Sequence, residues 1–255
     1  LDFGPGEYLV PGPGMYIAKY NSSGDLIWAK AIATNGVTGV SISTDAFNNI
    51  YISGKFTGIV DFDTGPNVFN LSPTVNTNNP DIFILKLDSL GDFLWAKQIG
   101  GEFCDYAHSM CLDNIGNVYV TGISDFSWLT IKYDASGTLL WSQTYTEAGI
   151  TDTYGDDILV DDDGNVYVTG YRWGPFIDSD ILLIKYDPSG TQQWLAEYAG
   201  AGLNNDFPND IAIDPEGNIF IGGYSYSATV ESDFATLKFD NDGNLVWDVL
   251  FNGSA

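Results

Sequence analysis

The chain has 255 residues, 44% of them hydrophobic and 15% aromatic, with 34 acidic against 9 basic side chains and a net charge of −25. That aromatic content excludes general disorder. The negative field repels phosphate backbones and excludes nucleic acid as a partner, and no apolar run is long enough for a membrane-spanning helix.

The pattern begins at once. Residues 1–9 align with the stretch that starts at Val60, which places the amino-terminal residues partway through a repeat. The first hairpin carries Ile17, Lys19, Tyr20, Gly24 and Trp28, reading as strand, turn and strand. A short apolar strand follows over 40–44. Next comes a turn at Asp45, in which Asn48 takes the place where later copies have Gly, and a strand to Gly54. A long connection over 55–81 leads to a second Lys–Trp hairpin, with Lys86 and Trp95.

The same order recurs three more times. Strands at 109–112, 157–160 and 210–213 precede the turns at Asp113, Asp161 and Asp214. Strands ending at Gly122, Gly170 and Gly223 follow, and then hairpins carrying Lys132 and Trp141, Lys185 and Trp194, and Lys238 and Trp247. The tryptophans are spaced by 67, 46, 53 and 53 residues. Asp can bond nearby backbone in such turns, while Gly, or Asn as its substitute, supplies the positive φ. No stretch shows helical periodicity.

The expected architecture is therefore all-β: a β-propeller of four-stranded antiparallel blades. A partial blade over 1–36 and blades over about 37–101, 102–147, 148–200 and 201–255 make one domain, open to further blades of a longer chain. A lysine repeated in every blade reads as architectural, its stem on an aromatic ring and its head near a carboxylate. The tryptophans are placed to fill gaps between blades. Cys104 and Cys111 are expected to be free, mostly buried thiols.

The segments Asp161–Gly170 and Lys185–Trp194 resemble the repeats of a bacterial propeller family, the SBBP repeats. The stretches 56–66, 81–88 and 95–101 are similar to its longer variant. The resemblance implies a propeller fold, export to the cell surface or medium, and architectural rather than catalytic motif residues.

Several side chains are candidates for chemistry. Asp161, Asp163, Asp240 and Asp242 space oxygen ligands as a weak calcium site would, and the same residues also suit a plain turn. No other cofactor is expected. His108 is the sole histidine and reads as a polar strand-end residue. Asp156, Asp157 and Asp210 could converge as carboxylates for glycoside chemistry, or could bond the backbone of neighbouring blades. Loops of variable length hold Tyr106, Tyr154, Tyr171, Trp173, Phe176, Phe207, Tyr224 and Tyr226. From these the expected binding set is Tyr106, His108, Tyr154, Asp156, Trp173, Phe207 and Asn209, facing a protein or glycan at the cell surface. The reading is a non-catalytic binding, adhesion or display scaffold outside the cell. The alternative is a carbohydrate-active enzyme, a lyase or hydrolase, with a carboxylate site.

Overall fold

The computed structural model describes residues 13–32, 34–75, 78–174, 178–200, 205–226 and 232–251. The alignment proposed for residues 1–9, and Phe176, lie outside them. The chain forms two compact units, Leu1–Ala107 and His108–Ala255. Among the described residues every regular element is a strand, and no helix is long and apolar enough to cross a membrane.

In the first unit, β1 (Met15–Tyr20) and β2 (Leu26–Ile32) pair as a hairpin. The strands β3 (Val37–Thr44), β4 (Ile50–Phe56), β7 (Asp81–Leu87) and β8 (Phe93–Ile99) form a four-stranded antiparallel sheet in that order. The long connection between β4 and β7 folds a small hairpin of its own, β5 (Val60–Asp61) with β6 (Asn70–Leu71). It buries Phe62 edge-on against Phe56, with ring centroids 5.4 Å apart, and beside Phe83 at 4.9 Å. The length of this connection is thus used to extend the core.

The second unit repeats the sheet three times. Strands β9 (Tyr106–Leu112), β10 (Val118–Ser124), β11 (Ser127–Tyr133) and β12 (Leu139–Tyr145) form one sheet. The next is β13 (Asp152–Val160), β14 (Val166–Trp173), β15 (Ile181–Tyr186) and β16 (Gln192–Tyr198). The last is β17 (Asp206–Ile213), β18 (Ile219–Tyr226), β19 (Ser232–Phe239) and β20 (Leu245–Phe251). In each sheet sequence order is spatial order, as the propeller blade requires.

The turns explain the motif. In Asp161-to-Asn165, one Asp161 carboxylate oxygen accepts the N–H groups of Asp163 and Asn165, and the other accepts the Asn165 amide and the Tyr167 hydroxyl. Gly164 stands at φ +83°, and Asn48 at φ +61° does the same in its own blade. Asp240 is spent likewise on Asp242 N–H and Asn244. Asp163 and Asp242 contribute backbone N–H groups to these turns. Of the candidate calcium ligands Asp161, Asp163, Asp240 and Asp242, the carboxylates of Asp161 and Asp240 thus act as turn caps, their lone pairs taken up by local donors. Among the described residues no group of three or more His, Cys, Asp or Glu side chains that could hold a metal is assembled.

The repeated lysine and tryptophan form a cassette. Lys132 pairs with Trp141 across the ladder, and its ammonium lies 4.8 Å from the Tyr119 ring. The equivalent Lys86 and Lys238 also approach Asp45 and Asp214, at 3.9 and 3.8 Å. The indoles join one blade to the next. Trp141 donates to Pro188 O at 3.1 Å, Trp194 to Asn241 O at 3.2 Å and, in the first unit, Trp28 to Ser89 O at 3.4 Å. Each acceptor lies in the turn of the following hairpin, and a glycine in that turn lies under the indole. A Cβ on Gly190 would lie 2.7 Å from the Trp141 ring. Both cysteines are free thiols.

Candidate functional site

The site of the second unit is made by two β-bulges. The ladder between β13 and β14 slips at Gly155/Asp157, and that between β17 and β18 slips at Pro208/Asp210. An extra residue in one strand bends it and re-aims a side chain. The residues inserted are Asp156 and Asn209. Each bulge presses a carbonyl onto the strand opposite. A Cβ on Gly170 would lie 1.9 Å from Tyr154 O, and one on Gly223 would lie 2.2 Å from Phe207 O. The repeated glycine that closes the second strand of the motif is therefore a clearance requirement of the bulge. The first unit has the same construction, with a slip at Gly39/Ser41 and Gly54 facing Thr38 O.

A row of rings crosses the two blades beside the bulges. Tyr154 and Tyr171, directly paired across the ladder, stack with centroids 4.8 Å apart and planes 13° apart. Tyr171 meets Phe207 of the next blade edge-on at 4.8 Å. Phe207 packs on its own cross-strand partner Tyr224 at 5.3 Å, and Tyr224 on Tyr226 at 5.7 Å. Within this row opens a cavity of about 350 Å³, lined by Asp156, Tyr171, Phe207, Pro208, Asn209 and Tyr224. Burial, reinforced by the negative charge of Asp156, pushes the Tyr171 hydroxyl up, and burial does the same to Tyr154 and Tyr224. These phenols stay neutral over the physiological range.

His108 adjoins Asp156. Its Nδ1–H donates to Gly155 O at 2.9 Å, since a carbonyl only accepts, and the same nitrogen lies 3.4 Å from Asp156 Oδ1. His108 ring and Tyr154 ring are parallel, 6.4 Å apart.

The carboxylates next in line have a different task. Asp157 accepts from Ser109 Oγ at 2.6 Å and from Ile211 N at 3.0 Å, so one side chain of the middle blade ties both neighbours. It also accepts from Ile158 N, while Asp210 accepts from Ile211 N. Burial first, and the hydrogen bond with Asp210 against the pull of Ser109, raise the Asp157 carboxyl above the usual carboxylate range. Of the two uses foreseen for these aspartates, Asp157 serves the bonding of neighbouring blades.

The expected binding set is thus dispersed in part. Asp156, Phe207 and Asn209 share the cavity, and Tyr154 and His108 back it. Trp173 is 47% exposed and lies two residues beyond Tyr171, outside the cavity. Tyr106 starts β9 in the first unit, where the Lys55 ammonium stands 4.5 Å from its ring. Tyr171 and Tyr224, absent from that set, supply two of the three lining rings. The signal for them was positional: each directly follows the repeat glycine. The aromatics expected on loops are on strand ends, because the ladders run further than the turn residues suggested.

Two segments, 141–177 and 193–228, match the SBBP family, described as a beta-propeller repeat. An uncharacterized WD repeat-containing protein of Acanthamoeba polyphaga mimivirus is 29% identical over 215 residues, covering 78% of this chain and 13% of the viral protein. Among solved structures, a subtype N11 neuraminidase-like protein from a flat-faced bat isolate aligns with a TM-score of 0.53 at 12% identity, over 96% of this chain and 61% of that one. A protein of unknown function from Dyadobacter fermentans aligns with a TM-score of 0.52 at 9% identity, over 92% and 71%. At such identities the likeness is one of fold. The chain spans about an eighth of the viral relative, at 13%, and 61% of the neuraminidase-like chain.

Proposed function

Starting from a chain in which two segments, 141–177 and 193–228, match the SBBP beta-propeller repeat, we propose that it is a non-catalytic recognition module that works outside the cell or on its surface. The observation that carries this reading is the cavity of the second unit, where two bulges aim Asp156 and Asn209 into a row of aromatic rings. Concave, ring-lined sites with a few oriented polar groups are where ligands bind. The rings supply apolar contact with little side-chain entropy to lose, and Asp156 and Asn209 supply direction. The high negative charge supports solubility in an extracellular setting and favours partners that are neutral or cationic.

Purified protein applied to glycan and peptide arrays should retain a partner. Phe207→Ala and Asp156→Asn should each weaken that binding by tenfold or more, with the fold intact by circular dichroism. Retention unchanged by both substitutions would place recognition elsewhere and refute the assignment.

The second reading, a carbohydrate-active lyase or hydrolase, has one observation in its favour: burial and the hydrogen bond with Asp210 raise the Asp157 carboxyl above the usual carboxylate range, the direction a general acid requires. The bonds of Asp157 to Ser109 and Ile211 speak for a structural duty instead. Turnover of a polysaccharide panel, lost in Asp157→Asn while folding is kept, would establish the enzyme; no turnover across the panel would remove it.

A further inference from the structure

We infer that the cavity between β13, β14, β17 and β18 recognises a quaternary ammonium group, held over the Phe207 ring between Tyr171 and Tyr224 with Asp156 as its counter-charge. The inference deepens the recognition reading above and rests on it.

Three observations lead to it. The first is the lining. Three rings and one carboxylate surround about 350 Å³, at the small end of ligand sites, and the Asp156 side chain remains 24% exposed at its edge. A quaternary ammonium offers no hydrogen-bond donor, so it needs faces of rings and a nearby negative charge rather than a fork of acceptors. A sugar would call for several oriented donors and acceptors; the side chains lining this cavity offer one carboxylate and one amide beside the phenol hydroxyls.

The second observation is what the fold already does with its own cations at this type of surface. Lys55 follows Gly54 as Tyr171 follows Gly170, and Tyr106 occupies the repeat position of Phe207. Lys55 lays its ammonium 4.5 Å from the Tyr106 ring. In the second unit the corresponding pair is Tyr171 on Phe207, ring on ring. The position that carries an ammonium in one blade is thus occupied by a second aromatic in another, with a carboxylate beside it. Four further lysines, Lys86, Lys132, Lys185 and Lys238, sit 4.7 to 5.1 Å from ring centroids in the cassettes, so ammonium-on-ring contact recurs in four blades.

The third is the field. At a net charge of −25, cations concentrate around the protein and anions are kept away.

The experiment is calorimetric titration of the whole chain with choline and with 3,3-dimethylbutan-1-ol, in which carbon replaces the charged nitrogen without changing the shape. Choline should saturate one site, and the alcohol should bind at least tenfold more weakly. Asp156→Asn, nearly isosteric, and Phe207→Leu should each cost choline about tenfold, with urea midpoints showing that both variants fold. Two further arms separate sources of the same group. Phosphocholine binding more tightly than a trimethyllysine peptide would indicate a headgroup ligand, and the reverse order a modified protein tail. Equal binding of choline and the alcohol, choline binding indifferent to Asp156→Asn, or no choline binding would each overturn the inference. Should a glycan bind instead and be lost in Phe207→Ala, recognition at the cavity would stand and the ammonium class alone would fall.

Discussion

Gly222 and Gly223 are adjacent in β18, and the bulge makes opposite demands on them. A Cβ on Gly223 would stand 2.2 Å from Phe207 O, 3.0 Å from Pro208 Cα and 3.1 Å from Phe207 C. All three are backbone atoms of a strand pinned by its ladder, so relief requires the bulge to move. Overpacking of that kind costs about 1–3 kcal/mol, and with only main chain to displace Gly223→Ala belongs at the upper end, about 3 kcal/mol. For a chain of this size that is a fall in melting temperature of about 6–12 °C. A Cβ on Gly222 would meet nothing within 4 Å and its φ lies outside the left-handed region. Gly222→Ala therefore loses only unfolded-state freedom and should be neutral or stabilising by about 0.5 kcal/mol. Thermal and urea unfolding of the two variants, side by side with the parent chain, is the assay. Because Phe207 lines the cavity, Gly223→Ala should also weaken ligand binding while Gly222→Ala keeps it. Equal stability of the two variants would refute the clearance argument for the repeat glycine.

Other outcomes follow from the same structure. Trp194→Phe removes an indole N–H that donates to Asn241 O at 3.2 Å and should lower stability by about 1 kcal/mol in urea denaturation. Arg172 binds Glu147, Asp180 and Glu197 together, a geometry a lysine cannot reproduce, so Arg172→Lys should cost about 1–2 kcal/mol in the same assay. Burial raises the Asp206 carboxyl above its ordinary range, against the pull of Ser225 and of Gly200 N–H. A carboxyl raised in the fold favours the folded state below its unfolded value, and that contribution is lost as pH rises through its folded value. Asp206→Asn should therefore gain on the parent chain in unfolding midpoint as pH rises above about 4, where an unfolded carboxyl ionises, and a gain confined to the acid end would contradict this.

Fold class was legible because the repeat writes the same physical demand several times. Trp141, Trp194 and Trp28 each meet the next turn, and Gly164 and its counterparts each take a positive φ. The candidate site was legible only in part. Asp156, Phe207 and Asn209 could be named from variation between repeats, and they do share the cavity. Tyr171 and Tyr224 were not in the chosen set: their place directly after the repeat glycine does not by itself tell an aromatic that faces a neighbouring blade from one that ends a strand. Bulges decide that, and their trace in the sequence is a glycine on the opposite strand, far from the residue it re-aims. The aspartates of the turns carried two readings: Asp161 and Asp240 alternate with oxygen-bearing residues as ligands do, and their carboxylates accept the donors of their own turns.

The indole contacts between blades have an evolutionary consequence. Their acceptors are main-chain oxygens of Ser89, Pro188 and Asn241, three residues with nothing chemical in common. What the indole requires of the next blade is a shape, supplied by any sequence that makes the same tight bend over a glycine. Other contacts at the seam are particular: Asn241 Oδ1 accepts from Tyr167 and Lys185, and Asp157 accepts from Ser109. Exchanging residues 187–190 for 240–243 should therefore keep the Trp141 bond, while copies that diverge must change those side-chain partners together.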